Sequence, residues 1–527
     1  MKRSAFYVTC ALLLMMIGPW TTMGQQIVVA PYLQDATPTS IHILWETSQG
    51  GDCKVKWGTT RALTNESGRV FSMINERPSQ IHRTPLEALE PSTKYFYQVT
   101  TGEATSDVYH FITPPLPGEE QSFQFVAMSD MQRDDERPKQ FKEVIEKGVI
   151  TYVAKNHGED LSEALSMVII PGDLTKDGDV YTDWTEDFFG QSTQLLPYVP
   201  LYPVLGNHER NSDYYFNYFH LPDNGTPGYM EHWYYKDYGN MRIIGLNSNE
   251  NYLVQEQLDW LEEVLDDAED NDHIDFVFAQ LHHPYKSELW IDGERDYTGE
   301  VIFQLEKFST RTGKPTIHFY GHTHGYSRGQ SRDHNHLWVN VATAGGRIDG
   351  WGEYAQSNYD EFSRSDSDYG FVLMQVESGD DPKFKLVRVS QGDVPNPKDN
   401  EITDVIEIKR YASPPATPRC IAPVKEAKVR PDQVVLQVHD FESADGSEHG
   451  QTQWQVGRAH NLTNPDVDAW RHYEDWYGGE DLNQGIDLTE LQVPRLEPGT
   501  TYYWRVRYRT KGLVWSDWSE VQKFTTK

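Results

Sequence analysis

Cysteine is nearly missing from this chain, with three among 527 residues, which excludes a disulfide-built scaffold and any zinc module assembled from thiolates. Basic residues are scarce beside acidic ones: 47 Lys and Arg stand against 80 Asp and Glu, a formal charge of −33. So anionic a body repels phosphate backbones and anionic lipid, which excludes a coat for duplex nucleic acid or a membrane-surface protein. Long apolar runs are lacking as well. The run from Ala5 to Ile17 falls short of the roughly 20 residues that span a bilayer, and no membrane span is expected. What the chain does have is 38% hydrophobic and 13% aromatic residues, enough to bury cores and exclude global disorder. At roughly 150 residues per folding unit, its length implies three or four units.

Lys2 and Arg3 precede the apolar run, and Gly18-Pro19 and Thr22-Met23-Gly24 follow it. That order predicts a signal peptide over residues 1–24 and a secreted, periplasmic or extracellular protein. Cys10 lies inside the run and not at its end, which argues against a lipid anchor. Cys53 and Cys420 remain, as one long-range disulfide or as two separate thiols.

Residues 25–116 read as all-β, with alternating runs such as Ile41–Trp45 and Tyr95–Val99 between Gly, Pro, Ser and Thr turns. The phrase Leu89-Glu90-Pro91-Ser92-Thr93-Lys94-Tyr95 recurs as Leu496-Glu497-Pro498-Gly499-Thr500-Thr501-Tyr502, an internal repeat. It resembles the corner of fibronectin type III sandwiches at which a Tyr hydroxyl ties a strand to the preceding backbone. Two β-sandwiches, 25–116 and 415–527, are therefore expected to flank a different middle, with linkers at Pro114–Gly118 and Tyr411–Pro418. In the middle, 120–395, short β-rich runs at 123–128, 166–170, 201–205, 276–281 and 316–320 alternate with helical stretches near 138–155, 254–268 and 298–311. The fold class expected is multidomain: a central α/β domain of sheets flanked by helices between two all-β sandwiches.

Each core strand runs into ligand-type residues. They are Ser129-Asp130-Met131-Gln132, Gly172-Asp173, Gly206-Asn207-His208-Glu209, His282-His283-Pro284 and Gly321-His322-Thr323-His324. A lone Asp or His-x-His after a strand is usually a turn or a solvated loop. Five such clusters at strand carboxyl ends, where open α/β sheets form their crevice, imply a shared metal site.

These motifs resemble the calcineurin-like metallophosphoesterases, and within them the purple acid phosphatases. The hairpin-like stretch Tyr234–Asn247 and the ending Gly325-Tyr326-Ser327-Arg328 point the same way. The resemblance implies that Asp173 bridges two divalent ions, that Asp130 and His324 bind the first, and that Asn207, His282 and His322 bind the second. His208 then faces the substrate as proton donor or oxyanion partner, and with Asp173 forms the catalytic pair. Two cations about 3.5–4 Å apart hold phosphate oxygens and acidify bound water for in-line attack. His282 is preferred to its neighbour as ligand because the family pattern is His-x-Pro; His283 is left to the rim or a supporting layer.

Two departures bear on the metals. Gln132 stands where many members have His, and binds through its amide oxygen or sits behind a water. Lys176 stands where the purple enzymes have the tyrosine whose phenolate binds iron. Mn, Zn, Fe(II) or Ca is expected, and an iron(III)–tyrosinate colour is not. Arg133, Arg210, His283 and Arg328 lie beside motifs and are candidate substrate contacts; Lys286 and Lys176 are further cations nearby. The aromatic, hydrophilic stretch Arg347–Tyr369 is a candidate rim loop.

Near the C-terminus, Trp515-Ser516-Asp517-Trp518-Ser519 follows a strand with Arg505, Arg507 and Arg509 on one face, the makings of a cation–π ladder. It resembles the WSxWS box of cytokine-receptor domains. The ladder reads first as structural, with glycan or protein contact as the other role, and Trp454, Trp470 and Trp476 are candidates for a carbohydrate surface. The activity expected is a metal-dependent phosphoester hydrolase for small substrates, monoesters before diesters. The competing reading is a non-catalytic extracellular binding protein with a degenerate site.

Overall fold

The computed structural model describes residues 24–425 and 427–527, so residues 1–23 of the expected leader lie outside the described residues. Two antiparallel sheets form the first domain. One carries Ile27–Thr37, Ser40–Thr47, Gln80–Glu87 and Phe71–Ile74; the other is built on Cys53–Gly58 and Lys94–Thr101. Lys94–Thr101 alternates in burial, so Tyr95, Tyr97 and Val99 point at Ile41, Ile43 and Trp45 across the sandwich. The repeated phrases build the same corner twice: Tyr95 Oη accepts from Glu90 N at 2.8 Å, and Tyr502 Oη accepts from Glu497 N at 3.1 Å. Cys53 and Cys420 are free thiols, one in each outer domain.

The middle domain packs two sheets face to face. In the first, Phe123–Ala127, Met167–Ile170 and Leu201–Pro203 run parallel, and Tyr369–Glu377, Lys383–Gly392 and Pro397–Lys409 continue it antiparallel. In the second, Met241–Gly245, Phe276–Gln280, Thr316–Tyr320 and His336–Val341 run parallel. Every residue of Met167–Ile170, Phe276–Gln280 and Thr316–Tyr320 is buried, which is why these strands read as largely apolar runs, with only Gln280, Thr316 and His318 polar. Phe125 of one sheet meets Phe278 and Phe319 of the other at 6.0 and 6.4 Å, so a single core fills the gap between them. Helices Gln255–Asp270 and Asp296–Thr312 cover the second sheet through Leu261, Val264, Leu265, Val301 and Leu305. A strand runs to Lys409, past the expected boundary at 395; it exposes Glu401, Ile402, Val405 and Glu407 and buries Asp404, Ile406 and Ile408, so no clean apolar run or alternation marks it in the sequence.

The last domain is a second sandwich, centred on His449–Gly457 and Thr501–Thr510. Its ladder forms as the arginine spacing implies: Arg505 lies 4.2 Å from the Trp518 ring, Arg507 4.1 Å from Trp515, and Arg509 5.2 Å from Trp515. Trp515 Nε1 also donates to Arg332 O at 2.6 Å and Arg509 Nη1 to Ser331 O at 2.9 Å, so one edge of the ladder faces the middle domain. Of the three candidate carbohydrate tryptophans, Trp454 is wholly buried in the sandwich core and is removed from that role. Trp476 instead joins the middle domain: the short strand Trp476–Tyr477 pairs with Phe362–Asp366, and Arg364 lies 4.5 Å over the Trp476 ring. Trp470 lines a cleft of about 920 Å³ between the two domains, with Trp338 and Phe303. Among the described residues no helix is long and apolar enough to cross a membrane.

Candidate metal centre

The parallel strands of both sheets end on the same side, and the candidate ligands stand in the turns that follow. Three of these turns place a non-glycine residue in left-handed backbone: Asp130 at φ 60°, Asp173 at φ 54° and His322 at φ 69°. Such conformations cost about 1–3 kcal/mol each and persist where packing over-determines them. Glycines make the packing feasible. A Cβ on Gly206 would stand 2.1 Å from Asp173 Oδ1, and one on Gly321 would stand 2.3 Å from Asp130 Oδ2.

Two groups of donors result. Asp130, Asp173 and His324 form one, and His282, His283 and His322 the other; within each, the candidate donor atoms all lie within 4.8 Å of one another. Asp173 links them, because its Oδ2 is also 3.2 Å from His282 Nε2. Asn207 Oδ1 is 2.9 Å from the same nitrogen. The ring orientations are held from behind: His282 Nδ1 donates to Pro171 O at 2.9 Å and His324 Nδ1 donates to Arg347 O at 2.7 Å. Both rings therefore aim Nε2 at carboxylate oxygens, the arrangement in which metal-ligating imidazoles are held by an outer partner. His283 is engaged differently. Ser248 Oγ accepts from His282 N and His283 N, so its hydroxyl proton goes to His283 Nδ1, 2.9 Å away.

Burial alone would lower the pKa of both carboxylate-facing imidazoles, but the carboxylates outweigh it. Asp173 brings His282 up to about 9, and Asp130 brings His324 up to about 10. Buried His322, beside His282, is held well below the usual range. Burial and Asp173 together push Glu209 up to about 7, and burial lifts Asp349 to about 6.

The donor set fits a pair of divalent cations. Gln132 Oε1 is buried without a hydrogen-bond partner, while Nε2 of the same amide sits 2.9 Å from His324 Nε2 and 3.4 Å from Asp173 Oδ2. Turning the amide end for end aims its oxygen between Asp173 and His324, where a cation would be shared. Carboxylate, amide and imidazole donors without thiolate suit hard and borderline divalent ions.

The remaining expected residues fall into three groups. His208 is half-exposed at the mouth, with Nδ1 donating to Lys176 O at 2.6 Å and Nε2 3.9 Å from Asp173 Oδ2. Arg133 and Arg210 are exposed near it and pair with Asp187 at 3.8 Å and Asp177 at 3.1 Å. Lys176 pairs with Asp135 at 2.9 Å. Arg328 and His283 need correcting as substrate contacts. Arg328 is 2% exposed, with Nε 2.6 Å from Asp404 and Nη2 2.6 Å from Glu474, so its charge is spent inside the protein. His283 is 3% exposed, packed against His282 and His322 in the supporting layer and not on a rim.

Four supporting residues carry no assigned role in the sequence reading, although Glu209 stands within one of its motifs. Glu209 is fully buried and accepts from the amides of Asp173, Leu174, Thr175 and Gly206, clamping two ligand turns together. Ser248 and Asn249 follow the strand Met241–Gly245, and Asn249 Nδ2 bonds Leu205 O and Gly206 O at 3.2 Å. Asp349 Oδ2 accepts from His324 N at 2.7 Å. Only the repetition of polar residues after each strand could have found Ser248 and Asn249. A third donor group, Asp35, His42 and His220, lies at the seam with the first domain, but Lys236 stands 2.8 Å from Asp35 and Arg83 2.8 Å from His220, so protein cations already serve it.

This fold and this site define a class. Residues 123–326 match the calcineurin-like phosphoesterase family. Residues 25–113 match the purple acid phosphatase N-terminal domain, and 442–527 the Rha78A-like N-terminal immunoglobulin domain. The similar proteins are more particular. A purple acid phosphatase from Glycine max is 24% identical over 279 residues, 50% of this chain and 55% of that protein. Purple acid phosphatase 18 from Arabidopsis thaliana is 23% identical over 329 residues, 59% of this chain and 68% of that protein. The match thus spans little more than half the length of the soybean relative. Among solved structures, purple acid phosphatase PPD1 from Lupinus luteus seeds shares the fold at TM-score 0.54 and 18% identity, covering 72% of this chain and 73% of that one.

Proposed function

We propose that this chain is an exported binuclear-metal phosphoesterase for small phosphate esters, with monoesters favoured. The observation that carries the reading is the position of Asp173, whose carboxylate touches both donor groups at once. Asp130, Gln132 and His324 with Asp173 would hold one divalent ion, and Asn207, His282 and His322 with Asp173 the other. Such a pair supplies positive charge to phosphate oxygens and activates water for in-line displacement.

The chain's own groups do the rest. Glu209 fixes the spacing of the Asp173 and Gly206 turns. Pro171 O and Arg347 O keep the His282 and His324 rings aimed. His208, anchored through Nδ1, presents Nε2 at the mouth, where it hands a proton to the leaving oxygen or steadies the oxyanion. Exposed Arg133 and Arg210 offset the charge of an entering phosphate. The non-catalytic reading rests on Gln132 in place of His and on the two flanking sandwiches; a buried amide oxygen with no other partner supports ligation and weakens the first of these.

The test is turnover of an aryl phosphate monoester and diester by chain reconstituted with Mn²⁺ or Zn²⁺, alongside metal analysis. Two ions per chain, turnover abolished by chelation and a faster monoester support the proposal. Two bound ions with no turnover of either ester would return the chain to a binding role. A visible tyrosinate band would contradict the expected metals.

A further inference from the structure

One wall of the proposed centre is aromatic and is not needed to hold the ligands. Trp290 lies beside His322, ring centroids 5.1 Å apart and planes at 33°, and Tyr354 lies on Trp290 at 5.5 Å and 39°. Trp290 is half-buried and Tyr354 is 40% exposed, so open ring face remains beside a donor of the second ion. Aromatics that only shield His322 from water would be covered themselves.

This wall is built rather than incidental. Ile291 N bonds Ala355 O at 3.0 Å, and Gln356 Nε2 reaches Leu289 O at 3.0 Å and Gly350 O at 3.1 Å, stitching 287–293 to the loop 347–361. The same loop carries Arg347 O and Asp349, which hold His324. From outside, the C-terminal domain props it: Tyr477 meets Trp351 at 5.0 Å, and Asp475 accepts from Asn358 Nδ2 at 3.1 Å.

Resting on the phosphoesterase reading above, we propose that Trp290 and Tyr354 form the leaving-group subsite and select esters with a planar aromatic leaving group, aryl or nucleobase-bearing, while the Asp475–Tyr477 segment of the C-terminal domain positions that wall. Stacking on an aromatic face is tolerant of ring identity and selects against compact alkyl groups, for which the wall has no complementary surface.

Binding of non-hydrolysable phenylphosphonate and methylphosphonate to the metal-loaded full chain, by calorimetry, tests this without turnover. We expect about tenfold tighter binding of the phenyl compound, on the scale of one aromatic contact. Tyr354→Ala and Trp290→Leu should bring the ratio of the two affinities toward one, and Tyr477→Ala should lower it by about half as much on a logarithmic scale. Phenyl and methyl compounds binding equally in the wild type would overturn the inference while leaving a phosphoesterase in place. A phenyl preference undiminished in both wall variants would overturn it likewise. If the metal-loaded chain binds neither phosphonate and turns over no ester, the phosphoesterase reading itself falls and the subsite with it.

Discussion

Asp130, Asp173 and His322 share left-handed backbone, and each follows a strand whose every residue near the turn is buried. The strain is local, and it aims side chains inward that a relaxed turn would release to solvent. His282 and His324 add a pH dependence with a definite sign. Their pKa values near 9 and 10 mean that below those values a cation must displace a proton from each ring. Affinity for each ion should therefore rise by about tenfold per pH unit between pH 6 and 8, as measured by competition against a chelator of known affinity. Replacing Gln132 by His should slow loss of the first ion on dialysis against chelator, by about tenfold or more, since imidazole is the stronger donor. Unchanged retention would place position 132 outside the ligand set. Arg328 illustrates how adjacency in sequence misleads: it stands four residues after His324, yet its guanidinium lies between Asp404 and Glu474. Arg328→Ala leaves a buried carboxylate unpaired, and should cost about 3–5 kcal/mol in chemical unfolding. A KM effect with unaltered stability would reinstate it at the substrate.

At the scale of elements, the core strands were legible because a strand buried on both faces is an apolar run, and the ligands because they follow such runs directly. Met241–Gly245 is buried in the same way, but the Ser248 and Asn249 that follow it are common turn residues and carry no metal signal. Contacts between distant segments were not legible at all. Arg364 pairs with Trp476 across more than a hundred residues, and no local pattern marks either partner. Beside Asp349, the loop wall holds a second titrating group: burial raises Glu288 to about 8, while Tyr359 N and Ser365 Oγ donate to it at 2.9 and 2.7 Å. A carboxyl raised above its unfolded value of 4.5 favours the fold fully below that pH, and that contribution is lost as pH rises through about 8. Glu288→Gln should thus gain on the order of 5 kcal/mol relative to wild type at pH 9, and next to nothing at pH 4.5. Thermal unfolding at the two pH values checks it, and an equal effect at both would refute it.

The whole molecule sets a negative body around a small site that would carry two cations. On the proposed function, the charge of −33 would select on substrate size: short-range attraction at the centre would admit a small ester, while a long polyanion would meet repulsion over its length. Turnover of a small dianionic ester at low substrate should therefore rise modestly, about two- to threefold, as salt screens the body from 10 to 150 mM; a steep fall would mean that attraction governs approach. The three-domain order was legible from linkers and from the repeated tyrosine corner, whereas the docking of the last sandwich onto the loop 347–361 emerges only from the assembled chain. The most direct test of the account is Asp173→Asn in metal-reconstituted full-length protein, with ion stoichiometry and aryl phosphate turnover measured on one sample. The account predicts fewer than two ions per chain and a turnover lower by about a thousandfold or more, because one carboxylate serves both ions. Two tightly held ions with near wild-type turnover would contradict it.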